Sequence, residues 1–258
     1  MTSKQVAFIT GAASGLGKKI GESLLKEGKI VVFSDINQAA LDEVVKEYQA
    51  NGFHASGAIC DVTNEESMNE AIDTVMALYG RLDILINNAG IQHVAMIEDF
   101  PTDRYRFMID MMLVGPFIAT KKVMPIMKNQ KFGRIINMAS IQAVVGFAGK
   151  AGYNSAKHGL VGLTKVAALE SADSGITVNA VCPGYVDTPL LTNQMQDLAK
   201  TRGVDEADVL EEVLWPLIPQ KRLLDVQEIA DYVSFLISDK AKAITGQAII
   251  MDGGYTIQ

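Results

Sequence analysis

Cysteine is nearly absent from this chain. Among 258 residues only Cys60 and Cys182 occur, far apart, with no CxxC and no histidine at a zinc-like spacing. A disulfide scaffold is excluded, and a reduced compartment fits the two thiols. An excess of basic charge is missing too. The chain has 23 Lys and Arg against 30 Asp and Glu, a formal net charge of −7, which argues against a dominant nucleic-acid footprint. Long apolar runs are also lacking. The longest stretch free of Asp, Glu, Lys and Arg is Ile135–Gly149, 15 residues interrupted by Asn137, Ser140 and Gln142. A membrane helix needs about 20 mostly apolar residues. Val6–Ile9 is too short for the apolar core of a signal peptide. The expectation is a cytoplasmic protein with neither membrane nor nucleic acid as a partner. No Pro/Gly/Ser-rich linker, low-complexity tract or short repeat divides the sequence. Residues 1–258 therefore read as one domain.

What is present is an alternation. Val6–Ile9 suits a strand buried on both faces. Gly15–Glu27 reads as a helix with Ile20, Leu24 and Leu25 on one side, ended by Gly28. The rhythm continues with strands at Ile30–Ser34, Phe53–Ile59, Leu82–Ile86, Arg134–Met138, Thr177–Val181 and Ala248–Met251. Helices are expected at Gln38–Ala50 (capped by Asn37), Glu65–Tyr79, Arg104–Met127 with a kink at Pro116, Ala151–Ala172 and Val226–Ile237. Strands alternating with helices predict an α/β fold, a doubly wound parallel sheet with helices on both faces. Residues 187–215 break the rhythm. They are polar, poor in glycine and expected to be helical, and they leave at Trp215-Pro216. That segment is a candidate lid, expected to order on substrate binding.

The first strand runs into Thr10-Gly-Ala-Ala-Ser-Gly-Leu-Gly17. Gly11, Gly15 and Gly17 permit a tight turn and close approach of a phosphate to backbone N–H groups, at a helix N-terminus that favours a pyrophosphate. The spacing is GxxxGxG rather than GxGxxG. Asp35 ends the second strand 18 residues after Gly17. An acid there accepts from adenosine ribose hydroxyls and repels a 2′-phosphate. With no Arg or Lys in Ser34–Ala40, the sequence favours NAD over NADP. Asp61-Val62 follows the third strand and Asn87-Asn88-Ala89-Gly90 the fourth, each where open α/β sheets bind ligands. Taken singly, each of these is also an ordinary turn.

Ser140 follows the fifth strand. Tyr153 and Lys157, four apart, share a helix face. Tyrosine is a poor base at its usual pKa near 10. A neighbouring ammonium and a positively charged nicotinamide would favour the phenolate. The phenolate would then take the hydroxyl proton of an alcohol as hydride leaves its carbon, with Ser140 holding the same oxygen. Tyr-xxx-Lys by itself is usually only a surface pair.

TGAASGLG, Asp35, NNAG, Ser140, YNSAK and Pro183-Gly184, in this order along essentially the whole chain, resemble the short-chain dehydrogenases/reductases. The resemblance implies a Rossmann-like sheet of seven strands, NAD(P)-dependent hydride transfer, catalysis by Ser140, Tyr153 and Lys157, and a homotetramer. It also implies that Lys157 bonds the nicotinamide ribose and that Thr188 meets the carboxamide. Cofactor contacts from Ser14, Leu16, Pro183, Gly184 and Val186 are implied as well. One position departs from the family. Its tetrad has an Asn on the long helix before the fifth strand, holding a relay water, where this chain has Met112. A thioether cannot replace an amide donor. Asp110 is close by, but no Asn lies anywhere in Arg104–Lys128. Either the relay is rebuilt or turnover is impaired.

The runs Asn88–Val94 and Lys157–Lys165 look closest to D-3-hydroxybutyrate dehydrogenases, which hold a small hydroxy acid by its carboxylate. The matching positions are Gln92, Gln142, Lys150 and Gln194. Lys150 offers charge and the glutamines offer directional donors, although solvated side chains are the ordinary alternative. Gln142 stands where that group has His, and Tyr185 where it has Trp, which makes a wider and wetter pocket. Three readings follow: an NAD-dependent dehydrogenase of 3-hydroxybutyrate or a close hydroxy acid, a relative acting on another secondary alcohol or ketone, and an NAD-binding sensor without turnover. No metal site is expected from His54, His93 or His158. Met108, Met111 and Met112 read as core filler.

Overall fold

The computed structural model describes residues 4–257. Seven strands form one parallel sheet in the order β3-β2-β1-β4-β5-β6-β7. They are β1 Val6–Thr10, β2 Ile30–Asp35, β3 Ala55–Ile59, β4 Ile84–Asn87, β5 Gly133–Met138, β6 Ile176–Pro183 and β7 Ala248–Met251. The helices are α1 Gly15–Lys26, α2 Gln38–Ala50, α3 Glu65–Tyr79, α4 Thr102–Ile109, α5 Gly115–Gln130, α6 Ala151–Leu169, α7 Pro189–Thr192, α8 Met195–Arg202 and α9 Val226–Ile237.

Period-two alternation divides the strand side chains between two cores. Ala7, Ile9, Val31, Phe33, Ile84 and Ile86 face one side and pack on α1, α2 and α9 through Ile20, Leu24, Leu41 and Val233. Val6, Phe8, Val32, Leu85 and Ile135 face the other and pack on α3, α5 and α6. Phe8 is fully buried; truncating such a ring to alanine costs about 3–5 kcal/mol. Asp83, also fully buried, accepts from Val6 N at 2.8 Å and pairs with Arg81, so its charge is matched where water is excluded.

The strand order reverses between β1 and β4, the place where doubly wound sheets open a crevice at their carboxyl ends. Two expectations need correction. The helix expected across Arg104–Met127 is two helices, α4 and α5, separated by a π-helical turn over Asp110–Val114. Pro116 directly follows the widened turn inside a helical run that continues from Thr102 to Gln130, so the disturbance expected at the proline falls just before it. The widened turn lets Gly115 press on β-sheet loop backbone, since a Cβ there would lie 2.7 Å from Val62 O. Residues 187–215 are not one helix but α7, α8, short 3-10 turns and a second π-helical turn over Val209–Leu214. Leu191, Leu198, Val209 and Leu214 bury against Val94 and Ile141, which attaches this segment to the sheet ends.

Candidate active site

The glycine loop joins β1 to α1. Gly11 has φ +60°, and a Cβ on it would sit 2.7 Å from Ala89 Cα. A Cβ on Gly17 would strike Asn88 Nδ2 at 2.5 Å. These two glycines let the loop pack on the β4 exit, and Gly11 lines the cleft together with Gly15. Gly15 has φ +52°, lines the cleft and has only Pro189 Cδ, at 3.9 Å, near its Cβ position. Ser14 at the N-cap makes no side-chain capping bond, leaving the first amides of α1 open to an anion. Asp35 Oδ2 accepts from Ala13 N at 3.2 Å and Oδ1 from Asn37 N at 3.1 Å, so the carboxylate is held at the cleft wall.

Asn88, expected to meet the cofactor, also holds the chain itself together through Thr10, a partner that the motif does not announce. Asn88 Nδ2 donates to Thr10 O at 3.0 Å and Gly11 O at 2.9 Å, while Thr10 Oγ1 accepts from Asn88 N at 3.0 Å and Ala89 N at 3.2 Å. This knot ties β1 to β4 beneath the loop. Its only signal in the sequence was the pairing of TG with NNAG.

The cleft holds about 380 Å³ and runs from Asp35 and Asp61 past Asn88–Gly90 to Tyr153. Val62, Pro183, Gly184, Val186 and Thr188 line it. A dinucleotide fits this donor set: uncapped amides for the diphosphate, Asp35 for ribose hydroxyls, and a long trough leading to Tyr153.

Tyr153 and Lys157 project from α6 toward Ser140, at the end of β5. Ser140 and Tyr153 line the same stretch of the cleft, close enough for the serine hydroxyl to draw the phenol's pKa down, and Lys157 Nζ lies 5.4 Å from the Tyr153 ring centre. Lys157 Nζ also donates to Met138 O at 2.6 Å. Burial drives both groups toward their neutral forms. It pushes Tyr153 up to about 12 against the opposing pull of Ser140, and Lys157 down to about 8. The downward pull on the phenol expected from Lys157 is not found: burial sets the direction, and Ser140 alone opposes it. Met112 does face this group: it is fully buried with Met108, Tyr153 and Ala156. Met108 and Met112 are core residues, whereas Met111 lines the cleft. His93 stands edge-on to Phe100 at 5.0 Å, and His54 and His158 lie exposed.

Beyond Tyr153 the structure gathers Gln92, Gln142, Lys150, Tyr185 and Gln194 around one end of the cleft. Lys150 caps α6 and is 1% exposed. Its Nζ sits 4.9 Å from the Phe147 ring centre and 5.3 Å from that of Tyr185. Burial, aided by Arg202, lowers it to about 7. No carboxylate pairs with it among the described residues. Phe147, Arg202 and Asn154 were not foreseen as neighbours. Asn154 Nδ2 holds the loop after Ser140 by donating to Gln142 O at 3.2 Å and Val145 O at 2.8 Å.

A parallel seven-stranded sheet with this cleft at its switch point defines a dinucleotide-binding oxidoreductase. The family model described as enoyl-(acyl carrier protein) reductase matches residues 11–256, and the chain belongs to the short-chain dehydrogenase/reductase family, whose members use a nicotinamide cofactor. It is 57% identical to the uncharacterized oxidoreductase YxjF of Bacillus subtilis (strain 168), over 99% of each chain. It is 40% identical to a D-beta-hydroxybutyrate dehydrogenase of Rhizobium meliloti (strain 1021), over 98% of this chain and 99% of that one. A crystal structure of a variant actinorhodin polyketide ketoreductase with NADPH superposes with a TM-score of 0.94 at 34% identity, covering 98% of this chain and 97% of that one. Among the described residues no helix is long and apolar enough to cross a membrane.

Proposed function

We propose that this oxidoreductase is an NAD-dependent dehydrogenase that interconverts D-3-hydroxybutyrate and acetoacetate, or a close small hydroxy acid and its keto acid. The observation that carries the reading is Lys150, a buried ammonium without an acid partner in the same cleft as Ser140, Tyr153 and Lys157. A substrate carboxylate supplies the missing partner. The name of the Rhizobium relative points the same way. Asp35, with no basic residue in Ser34–Ala40, supports NAD over NADP.

The glycine loop, Asp35, Asn88–Gly90 and Val186–Thr188 would hold the cofactor. When bound, nicotinamide supplies the hydride acceptor or donor and, oxidised, a positive charge beside the phenol. In oxidation the alcohol O–H proton passes to Tyr153 Oη as the C–H electron pair leaves with its hydrogen. In reduction Tyr153 returns that proton to the ketone oxygen. Ser140 holds the reacting oxygen, and Lys157, anchored on Met138 O, positions and favours the phenolate. The assembled Ser140–Tyr153–Lys157 group supports turnover over binding alone. Residues 187–215 act as the lid in this reading, expected to gain hydrogen-exchange protection with NAD and substrate; unchanged exchange removes that part. Association of four chains is what the family resemblance implies, and exposed Phe117, Val166 and Leu169 on α5 and α6 offer apolar surface for it; a monomer mass by light scattering overturns it.

The central test is NADH formation from NAD with D-3-hydroxybutyrate, with the L enantiomer and Tyr153→Phe as controls. D-selective turnover that falls about a thousandfold or more in the variant is expected. No turnover with NAD bound overturns the substrate.

A further inference from the structure

The substrate end of the cleft holds polar atoms that a carboxylate cannot satisfy. Gln142, Tyr185 and Gln194 are 3%, 6% and 6% exposed. Gln194 Oε1 and Gln92 Oε1 are buried without a hydrogen-bond partner; Gln142 Oε1 and Tyr185 Oη make no bond of good geometry either, although these two side chains adjoin each other. A carboxylate only accepts, and Lys150 already answers it. The three glutamines line the cleft, and a buried carbonyl oxygen there calls for a donor.

Gln194 decides which end of its amide is available. Its Nε2 donates to Leu190 O at 3.3 Å. Turning the amide over would set two carbonyl oxygens against each other, so Oε1 is the atom left for a ligand. Gln142 is less constrained at its side-chain end. Its backbone, however, is braced on both sides, by N donating to Ser140 Oγ at 3.2 Å and O accepting from Asn154. The side chain therefore leaves a fixed point next to the reacting oxygen. Tyr185 adds a hydroxyl that both donates and accepts.

We propose that the preferred substrate is a dihydroxy acid, whose second hydroxyl, on a carbon adjacent to the reacting one, donates to Gln194 Oε1 within a subsite shared with Tyr185 and Gln142. Such a hydroxyl gives the Gln194 oxygen its donor and still accepts from Tyr185. A site built to bond a substrate hydroxyl discriminates against the analogue that lacks it, because its own polar groups are then left unpaired. The inference rests on the hydroxy-acid reading of the same cleft and refines it.

The test compares kcat/KM for 3-hydroxybutyrate, 2,3-dihydroxybutyrate and 3,4-dihydroxybutyrate. One of the dihydroxy acids is expected to exceed 3-hydroxybutyrate by about tenfold or more. Gln194→Met, close in volume, is expected to reduce that ratio at least about fivefold. Equal or better use of 3-hydroxybutyrate overturns the proposal. So does a Gln194→Met variant that loses 3-hydroxybutyrate activity as steeply as dihydroxy-acid activity, which would make Gln194 a carboxylate ligand. Should that variant fail to bind NAD in calorimetry, the wild-type ratio decides alone. A second pair, 2,3-butanediol against 2-butanol, separates the two readings. Turnover of neutral alcohols but of no acid removes the hydroxy-acid reading, and preference for the diol then keeps the second-hydroxyl subsite while equal use removes it. No turnover of either pair overturns both.

Discussion

In the half of the cleft formed by β1, β2 and β4, polar side chains are spent on the chain itself. Thr10, Asn88 and Asp35 together bond the backbone of the glycine loop and of the β4 exit. In the half beyond Ser140 the opposite holds. Gln92, Gln142, Tyr185 and Gln194 keep atoms unpaired, and Lys150 keeps a charge unpaired. On the reading proposed above, the first half would meet its ligand mostly through backbone amides, which suits a cofactor common to many enzymes. The second carries the discrimination, and every unpaired group there costs stability until a ligand arrives. Mutations should therefore behave differently in the two halves.

The largest effect separating them is expected at Lys150. Lys150→Met keeps the volume and removes the charge. The kcat/KM for the hydroxy acid should fall about hundredfold, roughly 3 kcal/mol, while the Kd for NAD holds. In the wild type the ammonium form binds the acid, and burial lowers Lys150 to about 7. KM for the acid is then flat below pH 7 and rises above it. The stability effect runs the other way. A lysine with a folded value below its unfolded one carries a full burial penalty at low pH, which fades as pH rises from about 7 toward the unfolded value. Lys150→Met should thus raise the melting temperature more at pH 6 than at pH 9. An acid KM unmoved by the substitution would erase the distinction between the halves.

A smaller and opposite pattern is expected at Asn88. Asn88→Ala removes two hydrogen bonds to the glycine loop and should weaken NAD binding about tenfold in calorimetry, roughly 1.4 kcal/mol. Its effect on the KM ratio between acid and neutral alcohol should be negligible. A change in that ratio larger than the change in NAD affinity would show that the halves are coupled.

How much of this could be read beforehand follows the same division. The alternation of apolar runs placed every strand to within a few residues, and α9 and β7 at their observed bounds, because buried parallel strands and amphipathic helices leave periodic signals. TGAASGLG and YNSAK marked the cleft through spacing. Pro116 signals an irregularity beside Asp110–Val114, but not its form, a π turn that brings Gly115 onto Val62 across 53 positions of chain. The Thr10–Asn88 knot and the orientation of Gln194 are equally non-local or rotameric, and composition cannot report them. Residues 187–215 read as helical because they are polar and poor in glycine, and they are, but Gly203 and the turn after Thr192 divide them into short pieces whose lengths the composition does not report.

The smallest effect on activity is expected at Met112, where the family resemblance left two outcomes open. Met112 is fully buried among Met108, Tyr153 and Ala156, with Sδ 3.4 Å from the Cβ position of Gly90. Those neighbours are mainly apolar. An amide introduced there meets few partners and costs about 2 kcal/mol if unsatisfied, about 4–8 °C in melting temperature for a chain this long. Met112→Asn should therefore melt lower, with kcat within about threefold of the wild type. This outcome places Met112 with the packed frame, and means that the proton leaves Tyr153 without a side-chain amide on that helix. A kcat that rises tenfold or more in Met112→Asn would instead make the thioether the reason for a slowed relay. It would also extend the unfinished half of the cleft beneath the catalytic tyrosine.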